Sequence, residues 1–420
     1  LQNGNNSNPL IIDRYSVSTE TPLASPPVPI HLAIITETWP PGINGVAHTI
    51  HRLVQGLLES GAYHIELIRP EQTGEMPSVT RNALKLEQHL VNGLRLPFYP
   101  EVQLGHPQYF TLKRRWSRNR PDLVQIVTEG PLGYSAIKAA RKLGIPLISD
   151  FHTNFDQYSR HYHYPCLFRL IRAYLRHLHN QTRLTLVPTN SLRAELQQNG
   201  YERLGLLTRG IDTQQFHPGH RSPALRHGHG IRDEQLLVLL VSRMAQEKNL
   251  DLAFKAFRAI QQQTPEARFL LAGDGPERTR LQKQHPDCHF VGMQTGRALA
   301  QYYASADLFL YPSTTETFGN VILEAMASGL PVVTFDYAAA REHIHNTVNG
   351  ISVPFADPDA FIASALELSL DRERCRAIGS MARHTATGLG WEKVIRQFDT
   401  TVRNLLNEVR HETATPTECP

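Results

Sequence analysis

Two doubly wound α/β domains facing across a cleft are the fold class this sequence predicts, and three observations predict it. Short apolar runs alternate with amphipathic helical stretches from about residue 30 onward. The alternation restarts after about residue 205. The chain has 420 residues, 41% of them hydrophobic, which is enough for two cores at roughly 100–200 residues per domain. Strand–helix alternation implies parallel sheets covered by helices. In such sheets ligands bind beyond the carboxyl ends of the strands, so two facing domains give a cleft between them.

The elements follow in order. The opening "LQNGNNSNPLIIDRYSVSTETPLASPPVPI" is polar and proline-bearing, and it lacks the basic start and apolar core of a signal peptide. It reads as a disordered leader over residues 1–29. A first domain over 30–204 begins with the strand "IHLAIITE" and a helix near Gly45–Ser60. The strands "YHIELIRP", "LVQIVTE", "PLISDFH" and "TLVPT" follow, with helices such as "PLGYSAIKAARKLG" between most of them. A second domain over 205–390 opens on the strong strand "QLLVLLVSR" and the amphipathic helix "NLDLAFKAFRAIQQQ". Its further strands are "ARFLLAGDG", "CHFVGM", "DLFLYPS", "LPVVTFDY" and "NGISVPF". A long helix over 391–410 is expected to pack back toward the first domain, leaving a tail at 411–420.

Composition narrows the function classes. The four cysteines, Cys166, Cys288, Cys375 and Cys419, are scattered and fit neither a zinc site nor a disulfide framework. That fits a reducing cytoplasm. No run of about 18 apolar residues is present. Net charge is only +4 but uneven: from Gly105 to Thr185 there are thirteen Lys/Arg against four Asp/Glu. A basic face suits a phosphate-bearing ligand or an anionic membrane. Within it "TLKRRWSRNRP" gathers Lys113, Arg114, Arg115 and Arg118 around Trp116. One reading docks these residues on the inner face of the plasma membrane, with Trp116 at the headgroups. The other is a solvated basic helix with Trp116 in the core.

The stretch "STTETFGNVILEAMASGLPVV" carries the sharpest chemistry. Glu316 falls in a strand-to-helix turn and Glu324 lies eight residues on, within the helix. The amides of Phe318, Gly319 and Asn320 are free at the helix start and favour an anion. Eight residues at helical rise span about 12 Å, beyond the separation of a glycosidase's carboxylate pair, about 5–10 Å. The spacing suits two acids holding separate hydroxyl-bearing parts of one ligand, with phosphates between them. A nucleotide sugar has that layout. The alternative is an N-terminal acid plus a helix salt bridge.

Other loops at strand ends add to it. Arg243 and Lys248 sit between a strand and a helix, where two cations can neutralise a departing diphosphate; as an isolated pair they would be surface decoration. "LLAGDGPE" is a tight turn of the kind that usually only reverses the chain. Gly42 and Gly45 let backbone approach a ligand next to a helix start. The loop is not GxGxxG, so it gives no support to a nicotinamide or flavin site. His152 stands at a strand end, with Asp156, Tyr158 and His161 nearby on what would be the acceptor side; a structural role for the histidine stays open. Asp357 and Asp359 resemble a metal-binding DxD, but they directly precede "AFIASALEL" and read as a helix cap.

Taken together, "SRMAQEKNLD", "AGDGPE", "ADLFLYPSTTETFGNVILEAMASGLPVV" and "NGISVPFADPDAF" resemble glycosyltransferase family 4, over roughly residues 30–408. The resemblance implies the GT-B fold, two Rossmann-like domains, and retaining transfer from a nucleotide-diphosphate sugar. It implies that Glu316 and the following amides hold the donor sugar and diphosphate, and that Glu324 binds the ribose hydroxyls. Arg243 and Lys248 match the diphosphate pair, Gly45 the N-terminal glycine loop, and His152 a histidine beside the donor sugar. Base recognition falls to backbone around Val291, Gly292 and Met293. No cofactor or metal is implied. "TETWPPGINGVAHTI", "DFHTNFDQYSRHY" and "TRGIDTQQFHP" are similar to bacterial GDP-mannose-dependent α-mannosyltransferases and to enzymes that glycosylate diacylglycerol, including sulfoquinovosyl transferases. The partners expected are a nucleotide-diphosphate sugar, a lipid or sugar acceptor and an anionic membrane surface, with no nucleic acid. A soluble acceptor and a non-catalytic sugar-nucleotide-binding protein are the competing readings.

Overall fold

Runs such as Leu237–Val241, every residue of which is buried, have no polar face to give to water. Strands of that kind belong in parallel sheets covered on both faces. The computed structural model describes residues 28–42, 44–72, 85–96, 99–152 and 165–414. All of the expected leader but its last two residues falls outside them.

Two parallel sheets organise the chain. The first takes β1 (Ile30–Ile35), β2 (Tyr63–Pro70), β3 (Leu86–Val91), β6 (Leu123–Ile126), β7 (Leu147–Asp150), β8 (Leu184–Val187) and β9 (Leu204–Leu206), in the order β3-β2-β1-β6-β7-β8-β9. A small antiparallel hairpin, β4 (Gly93–Leu96) and β5 (Tyr99–Gly105), stands apart from it. The second sheet takes β10 (Leu237–Val241), β11 (Arg268–Ala272), β12 (His289–Gly292), β13 (Leu308–Tyr311), β14 (Val332–Phe335) and β15 (Ile351–Val353), in the order β12-β11-β10-β13-β14-β15. Both orders are doubly wound. The direction of winding reverses between β1 and β6 in one sheet and between β10 and β13 in the other. These are the two crevices where such sheets bind ligands.

Each sheet is covered by apolar side chains on both faces. In the second, Phe254, Phe257 and Leu281 pack on one side, while Tyr303, Ile322, Leu323 and Met326 pack on the other. The helix Trp391–Ala414 follows the second sheet in sequence, but its stripe Trp391, Val394, Phe398, Val402, Leu405 and Leu406 is buried with Leu32, Leu53 and Leu57 of the first. The Tyr63 hydroxyl donates to Asp399 at 2.7 Å and Gln397 donates to the Leu206 carbonyl at 2.8 Å. This helix therefore straps the two sheets together.

The basic helix Tyr109–Arg118 corrects one expectation. Trp116 is 1% exposed, packed with Leu112, Ile137 and Leu178. Its indole Nε1–H donates to Glu66 at 3.1 Å, and Arg115 donates to Glu66 and, at 2.8 Å, to Glu87. Trp116 is thus no interfacial anchor and Arg115 is no free basic charge. Burying the indole removes a large apolar surface from water while Glu66 satisfies its N–H. Only Arg114 and Arg118 of the set face outward, with Lys113 half-exposed.

Candidate active site

The loop that carries Glu316 runs from the end of β13 to the helix Asn320–Ala327. Gly319 opens the helix at φ +96°, a conformation that L side chains rarely adopt. That turn leaves Glu316 beside the helix start. One oxygen of Glu316, Oε1, collects three donors: Lys248 Nζ, the Tyr311 hydroxyl, and the Ser313 hydroxyl at 2.8 Å. Lys248 Nζ also lies 3.3 Å from the Thr315 carbonyl. The structure thus joins two residues that sequence spacing leaves 68 positions apart. The Tyr311 hydroxyl is driven well above its ordinary pKa by burial and by the Glu316 charge, so it stays a donor.

Glu324 lies one helical face away from that cluster. The Tyr303 hydroxyl donates to its Oε2 at 2.9 Å. Burial pushes the Glu324 carboxyl up to about 7, against the lowering effect of that bond. A carboxylate starved of solvent in this way gains from any hydroxyl that donates to it.

Arg243 follows β10 and is exposed. Its loop is shaped by Gly273 and Gly275. A Cβ at Gly273 would stand 1.9 Å from the Ser242 carbonyl oxygen, and one at Gly275 2.4 Å from that of Met244. The Met244 amide donates to the Asp274 carbonyl at 2.8 Å. The "AGDG" turn therefore does more than reverse the chain: only glycine lets it press against the Arg243 loop. Beside it the Gly273 amide donates to the Gly292 carbonyl at 2.8 Å. Gly292 has φ +71°, Val291 is half-buried, and Met293 is 47% exposed at the sheet edge.

Gly45 begins the first sheet's helix Gly45–Glu59, which Asn44 caps by accepting from the Ala47 amide at 2.8 Å. A Cβ at Gly45 would lie 3.3 Å from Asn320 Nδ2. Two helix N-termini from different sheets therefore face one another. Each carries unsatisfied amides and about half a positive charge. With Arg243 and Lys248 at the same strand ends, the arrangement fits a polyanion.

His152 closes the crevice from the first sheet. It is 8% exposed, and its carbonyl accepts from the Thr317 hydroxyl of the Glu316 loop at 2.8 Å. Asp156, Tyr158 and His161 lie outside the described residues. Sequence reasoning passed over Glu37, Glu129 and Arg209, which follow β1, β6 and β9, and Asp150, which ends β7. Glu37 Oε1 accepts from the Gly105 and Leu132 amides at 3.1 and 3.2 Å. Burial and, to a smaller extent, the charge of Glu129 push Glu37 up to about 7. The signal that marks them is position: a charged residue just past a parallel strand faces the crevice. Asp357 caps the helix Pro358–Leu370, accepting from the Ala360 amide at 3.0 Å, as its sequence context indicates.

Comparison with known proteins agrees with this geometry. A sucrose-phosphate synthase from Thermosynechococcus elongatus superposes with a TM-score of 0.73 at 18% identity, over 90% of this chain and all of that one. The fold is thus GT-B, the two-domain architecture of glycosyltransferases. Residues 43–215 match the model of "Glycosyltransferase Family 4", and residues 222–385 match "Glycosyl transferases group 1". A GDP-mannose-dependent alpha-mannosyltransferase from Corynebacterium glutamicum is 30% identical over 88% of each chain. The sulfoquinovosyl transferase SQD2 of Arabidopsis thaliana is 31% identical over 73% of this chain and 61% of its own. The chain belongs to glycosyltransferase family 4.

Proposed function

We propose that this glycosyltransferase moves a hexose from a nucleotide-diphosphate sugar to a hydroxyl of a membrane lipid such as diacylglycerol, forming a glycolipid with retention at the anomeric carbon. The observation that carries the donor half is the meeting of Glu316, Lys248 and two facing helix N-termini in one crevice. GDP-mannose is the first donor to test, because the mannosyltransferase relative matches along most of both chains; a UDP-sugar is the second.

In this reading the diphosphate lies between the helix starts, with Arg243 and Lys248 on its oxygens. Glu316 and His152 flank the sugar, and Glu324 takes the ribose hydroxyls. The bond from the anomeric carbon to the phosphate oxygen breaks as the acceptor oxygen bonds to that carbon on the same face. The acceptor's proton passes to the departing phosphate oxygen. Negative charge grows on that oxygen, and fixed cations already in place stabilise it more than they stabilise the ground state. The same cations supply what a divalent metal would, so turnover is expected to survive EDTA.

The membrane side rests on the same basic helix, with Phe110 in place of Trp116 as the exposed ring. Phe110 is 82% exposed on the helix Tyr109–Arg118, next to outward-facing Arg114 and Arg118. An exposed aromatic ring with basic neighbours suits an anionic lipid surface. In this reading attachment is peripheral, on the cytoplasmic face; no described helix is long and apolar enough to cross a membrane. The test offers purified protein GDP-mannose and UDP-sugars with EDTA, against diacylglycerol in phosphatidylglycerol vesicles and against soluble sugar acceptors. An α-linked glycolipid product is expected; a β-linked product or transfer only to the soluble acceptor overturns the corresponding part.

A further inference from the structure

One buried cation stands outside the donor account. Arg209 is 7% exposed and lies on the crossover where the chain leaves β9 for the second sheet. The crossover is held firmly. Ile211 bridges Gly390, and a Cβ at Gly210 would stand 2.7 Å from the Trp391 Cα. From this segment Arg209 Nη2 reaches His152 Nδ1 at 2.7 Å.

We infer that Arg209 is a positioning residue for the transfer: by donating to Nδ1 it holds the His152 ring neutral, with its one proton on Nε2. The inference rests on the placement of His152 beside the donor sugar proposed above.

The chemistry leaves little choice. A guanidinium has donors and no acceptor, so Nδ1 must offer its lone pair. A neutral ring then carries its proton on Nε2. Asp150 Oδ2 lies 3.5 Å from Nε2, at the long limit of a hydrogen bond, and already accepts from Gln125 at 2.7 Å. His152 Nε2 and Asp150 Oδ1 are both buried without a hydrogen-bond partner among the described residues. Buried polar atoms are costly to leave unpaired. An unspent donor and acceptor in neighbouring side chains suit a hydroxyl group, which can accept one bond and donate another.

The groups facing the ring act in opposite directions. Burial and then the Arg209 charge hold His152 below the usual histidine range, while Asp150 and Glu129 pull upward. Removing the Arg209 charge leaves the two carboxylates opposed only by burial. Burial, the larger of the two lowering effects, remains, so the ring would take a proton at a higher pH than in the wild type. Arg209 itself keeps its charge at neutral pH even though burial draws it down to about 10. Because the His152 carbonyl is bound by Thr317, the ring Arg209 orients belongs to a residue already tied to the donor loop.

Two measurements test the inference. In protein labelled with ¹⁵N-histidine, the ring signals lost in His152→Gln identify His152. The Nε2–H tautomer is expected, unchanged from pH 8 to pH 5.5 without substrate. An Nδ1–H tautomer, or a ring that titrates in that range, overturns the inference. Kinetically, Arg209→Met is expected to lower kcat about 100-fold with little change in donor KM, and to add an acid limb to the pH profile. Arg209→Lys keeps a donor for Nδ1 and recovers most of the rate. Wild-type kcat and pH profile in Arg209→Met overturn the inference; if that variant does not fold, the wild-type tautomer and Arg209→Lys decide. The tautomer needs no donor or acceptor, so a wrong substrate class would leave this result standing.

Discussion

The two crevices occupy the same topological position in their sheets and hold opposite electrostatics. Beyond β10 and β13 stand Arg243, Lys248 and Glu316, with Lys248 donating to Glu316. Beyond β1 and β6 stand Glu37 and Glu129, two acids close enough for one charge to raise the other's pKa. Opposite charges stay ionised at short range, whereas buried like charges drive protonation. The difference shows that a doubly wound sheet fixes where a ligand binds but not its sign. The cationic crevice suits a diphosphate; the acidic one suits a neutral partner that offers a hydroxyl.

The largest effect expected falls on the strap that joins the crevices. Phe398→Ala empties a fully buried site between the terminal helix and the first sheet. It should cost about 3–5 kcal/mol, read by urea unfolding. A loss below about 1 kcal/mol would mean that the helix is not what holds the crevices in register.

Glu316→Ala comes next. It removes the acid on which three donors converge and leaves Lys248 without its carboxylate. Turnover should fall about 100- to 1000-fold with the fold intact by circular dichroism. Wild-type turnover would detach the donor loop from the reaction.

Glu324→Gln sharpens the contrast through pH. Free Glu324 would titrate near 4.5 and in the folded chain it titrates near 7, so the native state holds the extra proton between those values. Stability therefore falls as pH rises through that window and levels off above it. The amide should raise Tm at pH 8, with the gain fading toward pH 4.5. Nucleotide binding should weaken by about 1–3 kcal/mol in calorimetric titration at pH 8. A variant that melts lower at pH 8, or binds as the wild type does, contradicts this placement.

The smallest effect concerns a latch across the cleft. Glu342, beside the second sheet, accepts from the Asn190 amide at 2.8 Å and from the Asn190 side chain at 3.0 Å, at the start of the helix Asn190–Gln198. Glu342→Ala should loosen this contact by about 0.5–1.5 kcal/mol, seen as faster hydrogen exchange at the Asn190 amide. Unchanged exchange would show that the contact does not tie the halves together.

Much of this was legible before any coordinates. "YHIELIRP" is strand β2 residue for residue, and "DLFLYPS" and "LPVVTFDY" contain β13 and β14, because continuous apolar runs between turns leave few other places to go. β3, "LEQHLV", escaped notice because it is an edge strand, half-exposed and mixed in polarity. The three-residue β9 escaped because it is only half-buried, where the equally short β15 is mostly buried. Trp116 shows the limit of reading charge from neighbours. Five basic residues surround it in the sequence, yet the acid that binds its N–H, Glu66, lies 50 residues earlier.

By itself the sequence determined the class of fold, the family and the local geometry of the Glu316–Glu324 stretch. A strand, a turn and a helix contiguous in the chain present Glu316, the helix-start amides and Glu324 with spacing set by local geometry. Only the tertiary structure decided which groups share a site with them. Lys248 meets Glu316, Arg209 meets His152, and Gly45 faces Asn320 because separate segments converge at the ends of parallel strands. No local periodicity records which loops will face one another, since that follows from sheet order and from the strap helix that holds the two sheets together.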